Sequence, residues 1–185
     1  LCELARARRW QGLPADDGLD RASRLLPLGA HADLHLRILL ERCRLAAPDT
    51  VARSTDRILS EAQALGLDSM VLAALSVRVE RLRDVAPALA ADAAQRALQM
   101  SRTIDALGLY KPELWWHAAS ALAAAGDHDS ADDCASQACT WIRERVQLCE
   151  VPPEFVDSFL HRNPVNRSLL AWPAGAATLH IGRQV

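Results

Sequence analysis

The sequence predicts an all-helical fold made of successive antiparallel helical hairpins, and three observations carry that prediction. Aromatic residues are only 4% of the chain and strand-forming residues are sparse. Apolar side chains recur at helical spacing, most clearly at Trp115, Ala118, Ala119 and Leu122, which are offset by three, four and seven. The pairs Leu28-Gly29, Leu65-Gly66 and Leu107-Gly108 each close an apolar helical stretch, with glycines 37 and then 42 residues apart. A recurrence of that length fits hairpins that stack so that each buries the face its neighbour cannot cover alone.

In chain order, residues 1–27 give the first hairpin, with helices over 1–11 and 18–27 joined by a turn that contains Pro14, Asp16, Asp17 and Gly18. Residues 31–65 give the second, in which Leu36, Leu39, Leu40 and Cys43 share a face and Pro48-Asp49-Thr50 separates the helices. Residues 68–107 give the third, with Pro87 near the start of its second helix. Residues 111–148 give the fourth. Its Ala-rich first helix stops at Gly126, Asp127 is placed as an N-cap, and Asp129 puts negative charge in the first turn of the next helix. That helix repeats small residues at Ala131, Cys134, Ala135, Ala138 and Cys139, so its backbone can approach its neighbours closely. Val151-Pro152-Pro153-Glu154 then halts one helix and starts another, and 153–172 is expected to cap the array. The Gly- and Ala-rich tail, 173–185, is expected to be disordered or to dock as an extended strand.

The stretch from Leu114 to Arg143 resembles a tetratricopeptide repeat. Trp115, Ala118-Ala119, Leu122, Gly126, Ala131, Ala135 and Ala138 fall at the spacings of that family, although its Leu-Gly pair, both aromatics and its closing Pro are absent. The resemblance implies a right-handed superhelical α-solenoid. The closing phrase PPEFVDSFLHRNPVNRSLLAW is similar to the end of the tetratricopeptide-like region found at the C-terminus of large bacterial signal-transduction ATPases and transcriptional activators. That similarity implies a sensor or partner-binding segment of a multidomain regulator, preceded by a P-loop NTPase and an output domain.

Composition narrows the function further. A net charge of −2 gives no basic excess for a nucleic-acid surface, so direct nucleic-acid binding is not expected. Five cysteines without a CxxC spacing, Cys2, Cys43, Cys134, Cys139 and Cys149, form neither a disulfide framework nor a zinc motif, and read as small buried thiols in a reducing cytoplasm. No signal sequence or membrane-length apolar run is present, which leads to the expectation of a soluble cytoplasmic protein with no membrane partner. Because residues 1–10 already read as the interior of a helix and no Met opens them, the chain is expected to be a piece of a longer polypeptide.

No catalytic constellation, cofactor motif or metal set emerges, so an enzyme is not expected. His31 and His35 sit at i and i+4, but Ala32 occupies the position of the Glu in a metalloprotease helix. His117, His128 and Asp127 flank the turn of the best repeat without a nucleophile beside them. Asp132 and Asp133 diverge by roughly a hundred degrees on a helix and read as a solvated face. Arg6, Arg8 and Arg9 read as a solvated face or as an interface with a preceding repeat. Trp115 and Trp116 are adjacent and so point in different directions: either one fills the hairpin core while the other meets the neighbouring repeat or a groove, or both belong to the core.

Two functional classes follow. In the first, a groove lined by the first helix of each hairpin binds a protein or peptide, or packs on other domains of the same polypeptide. Trp116, Arg37, Arg78 and Arg81 are its candidate contacts. In the second, the groove encloses a small-molecule inducer and controls an attached ATPase or output domain.

Overall fold

The computed structural model describes residues 1–27, 31–104 and 109–173, with the backbone alone at Trp10. Leu28-Gly29, Leu107-Gly108 and the tail beyond Pro173 lie outside the described residues. The helices follow as pairs: α1 (Cys2–Trp10) with α2 (Asp16–Leu25), α3 (Ala32–Leu45) with α4 (Pro48–Ala64), α5 (Asp68–Leu82) with α6 (Pro87–Met100), and α7 (Lys111–Ala124) with α8 (His128–Gln147). A 3₁₀ turn (Pro153–Phe155), a π-helical turn (Ser158–Arg162) and the short α9 (Pro164–Leu170) close the described chain. The described residues contain no strand, and no helix among them is long and apolar enough to cross a membrane.

Local chemistry sets the boundaries. Helices α4, α6, α7 and α9 each carry a proline at the first or second position, where the missing N–H costs nothing. Helices α4 and α7 end in the same way. Gly66 (φ 65°) and Gly126 (φ 89°) take the left-handed conformation, and the following N–H groups of Leu67 and Asp127 turn back to the carbonyls of Ala62 and Leu122 at 2.9 Å. The Asp127 carboxylate then accepts from the Ser130 N–H at 3.2 Å and caps α8. Helix α6 ends at Met100 and does not run on to 107. Its last turn is followed by Ser101 and Thr103, whose hydroxyls donate to the carbonyls of Leu98 and Met100 and offer the backbone an alternative to further helix.

Each helix packs on the next in sequence, and α1 on α3, α3 on α5, and α5 on α7 make a second set of contacts. Helix α5 is therefore covered on several sides, which is why Leu72, Ala74, Leu75, Val77 and Val79 are all buried and its apolar residues show no single stripe. From α6 to α8 the interface is built of alanine: Ala90, Ala94, Ala97, Ala118, Ala119, Ala121 and Ala138 are fully buried. The main core runs from Leu36 to Leu169. The buried residues of the first hairpin, Ala5, Ala15 and Leu19, form a cluster of their own, with Cys2 packed against it.

Side-chain amide chemistry fixes the closing segment. Asn163 caps α9 by accepting from the N–H groups of Val165 and Asn166, and its own N–H reaches the Ser158 carbonyl, which closes the π turn. Asn166 is fully buried. Its Nδ2 donates to the Phe159 carbonyl at 2.8 Å and its Oδ1 accepts from the Tyr110 hydroxyl at 2.6 Å, at the start of α7. Burial pushes the Tyr110 phenol up to about 12, so it stays a donor across the ordinary pH range. Cys139 Sγ to the Leu169 carbonyl and Trp172 Nε1 to Asp132 Oδ1, at 2.9 Å, tie the same segment to α8. Asp132 is thus a partner of the closing segment and not part of a solvated face.

Two substitutions measure these contacts by urea unfolding. Leu75→Ala removes a buried side chain from the centre of the core and is expected to lower stability by about 2–5 kcal/mol. Asn166→Ala strips partners from the Tyr110 hydroxyl and the Phe159 carbonyl and is expected to cost about 1–3 kcal/mol, with Tyr110→Phe milder.

Candidate functional site

Side chains of the odd-numbered helices form a continuous seam of charged and polar contacts. Arg6 of α1 donates to Glu41 of α3 at 3.1 Å, and Arg44, one turn further along α3, pairs with the same carboxylate. Arg44 Nε also donates to Glu80 Oε2 of α5 at 3.1 Å, while Glu80 Oε1 accepts from Arg9 at 2.8 Å. Arg9 reaches on to Glu113 of α7, 3.9 Å from Nη2. Glu113 lies 4.0 Å from His117 Nε2, and His117 Nδ1 is 3.1 Å from Arg83 Nη1. The Arg83 guanidinium stands 5.2 Å from the ring centre of Trp116. Helical periodicity makes this possible: Glu41 and Arg44 are three apart, as are Arg6 and Arg9, and Glu113 and His117 are four apart, so each pair shares a face.

Burial and neighbouring charge together shift the titrating groups of the seam. Burial opposes ionisation of Glu80, but the guanidiniums of Arg44 and Arg9 outweigh it and hold its carboxyl below the usual range. Glu113 goes the other way: burial, reinforced by the nearby Glu80 charge, raises it. Burial lowers His117 to about 4, so its imidazole is neutral near pH 7. Arginine can only donate, so Arg83 assigns Nδ1 as the acceptor and leaves the proton on Nε2, facing Glu113.

A cleft of about 640 Å³ opens at one end of this seam. Arg9, Arg81, Arg83, Trp116 and His117 line it with Val85 and, from the start of α9, Pro164 and Val165. Arg81 spans its wall, with Nη2 donating to the Ala46 carbonyl at 2.8 Å, while its Nε is buried with no hydrogen-bond partner among the described residues. Arg9 Nε and Nη2 are in the same condition. A smaller cleft of about 260 Å³, lined by Cys2, Arg6, Arg37, Glu41 and Met70, opens at the other end of α1.

Of the four contacts expected from the sequence, Trp116 and Arg81 meet in the larger cleft and Arg37 lines the smaller one. Arg78 lines neither: it turns to α4 and pairs with Asp56. Trp115 makes an edge-to-face contact with Trp141 of α8, with ring centres 6.2 Å apart, and lines a different cleft with residues of α6 and α8, so the two adjacent, half-buried tryptophans face different sides of α7. Asp127 is used as a cap, His117 is held between Glu113 and Arg83, and His128 is exposed at the head of α8, so these three do not converge. Among the described residues no group of three His, Cys, Asp or Glu side chains could hold a metal ion. Arg6 and Arg9 turn into the seam and only Arg8 stays exposed. The sequence reading did not pick out Glu41, Glu80 and Glu113. Their intervals of 39 and 33 residues, close to the hairpin repeat, were the available signal.

The seam makes two testable demands. Arg44→Met leaves Glu41 and Glu80 short of a buried guanidinium and is expected to cost about 3–5 kcal/mol in urea unfolding. His117 gives a pH slope. Between 6.5 and about 4 the unfolded chain binds a proton that folded His117 refuses, so stability falls as pH drops through that window, by on the order of 3 kcal/mol in all. His117→Gln is expected to flatten the urea midpoint between pH 6.5 and 5.

Comparison with protein-family models, with curated proteins and with solved structures finds no match to this chain.

Proposed function

We propose that this chain is a non-catalytic protein-interaction segment of a larger bacterial signalling or transcription regulator, arranged as a tetratricopeptide-like α-solenoid. Its partner is a protein or peptide, or another domain of the same polypeptide, held on the face formed by α1, α3, α5 and α7. The observation that carries this reading is the cleft at Trp116 and Arg81. An aromatic face and guanidinium N–H groups that have no acceptor among the described residues are brought there by different helices, and a bound segment can satisfy both. The contacts of α1 with α3, α3 with α5, and α5 with α7 support the stacked arrangement.

A small-molecule sensor is the second reading, and the size of the cleft favours it: about 640 Å³ falls in the range of roughly 300–1,000 Å³ usual for small ligands. In either case the effect on an attached domain comes from unequal affinity for its two states.

Selection of a displayed random-peptide library against the whole chain tests the first reading. Enriched peptides are expected to lose about 30-fold in affinity on Trp116→Ala, the size of a buried aromatic anchor, and less on Arg81→Gln, with circular dichroism at 222 nm unchanged. Peptides that bind the Trp116→Ala chain equally well would remove the cleft from the interaction face.

A further inference from the structure

The acidic residues of the seam come one from each of three successive odd-numbered helices: Glu41 from α3, Glu80 from α5 and Glu113 from α7. Without α1, Arg44 is the arginine that pairs directly with these carboxylates among the described residues, while Arg83 reaches Glu113 only through the neutral His117. Arg6 and Arg9 supply the two missing positive charges, from positions i and i+3 of one short helix. We propose that the row Glu41, Glu80 and Glu113 is a docking surface for a helix carrying two arginines three residues apart, and that α1 occupies it in cis. A partner helix of that kind binds by displacing α1.

Three observations support the exchange. First, the pairs are distant in sequence: Arg9 donates to a carboxylate 71 residues away, so the surface recognises α1 as a separate object and not as a neighbouring turn. Second, the buried apolar side chains described for the first hairpin, Ala5, Ala15 and Leu19, belong to a cluster that shares no member with the main core. Much of what fastens the hairpin is polar: Arg6 to Glu41, Arg9 to Glu80, and Arg42 to Asp20 and Ser23. Third, the fit is incomplete, because Arg9 Nε and Nη2 are buried without a hydrogen-bond partner among the described residues, Nη2 coming no closer than 3.9 Å to Glu113. A helix that places its arginine fork better gains over α1 at that position. The larger cleft is lined by Arg9, in the last turn of α1, together with Trp116, so a helix that takes the place of α1 borders that cleft as well.

This rests on the reading that the odd-numbered helices form the binding face, but it is tested separately. The probe is a fluorescent synthetic peptide of residues 1–27, with a second peptide carrying Arg6→Gln and Arg9→Gln as control. The full chain with Arg6→Gln and Arg9→Gln is expected to bind the arginine peptide at least 10-fold tighter than the unmodified chain does. Binding should weaken as NaCl rises from 50 to 500 mM, and the control peptide should not bind. A folded double variant that ignores the arginine peptide, or binds both peptides alike, overturns the proposal. If display-selected peptides still depend on Trp116 in that case, only the arginine-helix assignment falls and the binding face stands. Should the double variant not fold, hydrogen exchange on the unmodified chain decides. The amides of α1 and α2 are expected to exchange at least 10-fold faster at 500 mM NaCl than at 50 mM while those of α5 do not change. Equal behaviour of the two regions overturns the proposal.

Discussion

Three glutamates and an arginine are taken out of water along the inner side of α3, α5 and α7, and everything near them is arranged to make that tolerable. Desolvating such groups costs several kcal/mol each unless the geometry returns it, so position, count and partner of every charge are constrained together. Glu80 shows the solution at its fullest, with each oxygen taken by a different arginine from a different helix. Glu113 shows where the solution is thinnest, with Arg9 no closer than 3.9 Å and burial raising its carboxyl. The seam does not oppose the hydrophobic core of α5 but is held in place by it: Val77 and Val79 are fully buried on either side of Arg78, and Glu80 follows at once.

The same constraint explains the two clefts. A helix as short as α1 leaves openings at its two ends, one lined by Arg6 and Arg37 and the other by Arg9, Arg81 and Arg83. Trp116 belongs to this economy, since its face lies under Arg83 and shields one side of the His117 ring, 4.8 Å away between centres. A neutral imidazole can live in such a place, whereas a cationic one would face Arg83 directly.

Local signals were legible from the residues and long-range ones were not. The ends of α4 and α7 follow from Gly66 and Gly126, and the start of α8 from Asp127, because these depend on a few consecutive residues. The early stop of α6 was missed because a hydroxyl-rich end after Met100 competes quietly with an otherwise helical pattern. Asn166 reads as one more polar residue in a short segment until Tyr110, 56 positions earlier, arrives against it. Arg6 and Arg9 look like a solvated face for the same reason: nothing adjacent shows that Glu80 and Glu113 will be opposite them. Periodicity says which side of a helix is special but not which other helix will meet it, and the candidate site is made entirely of such meetings. Adjacency on a helix turns Trp115 and Trp116 to different sides, and Trp116 lines the larger cleft with Arg81, whereas Arg78 pairs with Asp56 of α4, which nothing adjacent in sequence shows.

The alanine-lined contact of α6, α7 and α8 sets different rules of change for the two ends of the chain. Where Ala94, Ala97, Ala118 and Ala119 meet, the backbones themselves are the packing surface, so any added carbon must push a helix aside. Around Leu36, Ile58, Leu72 and Leu75 the space is filled by longer side chains, and one branched residue can be exchanged for another of equal volume. Sequences descended from this one can therefore drift in the first half while the second half stays alanine.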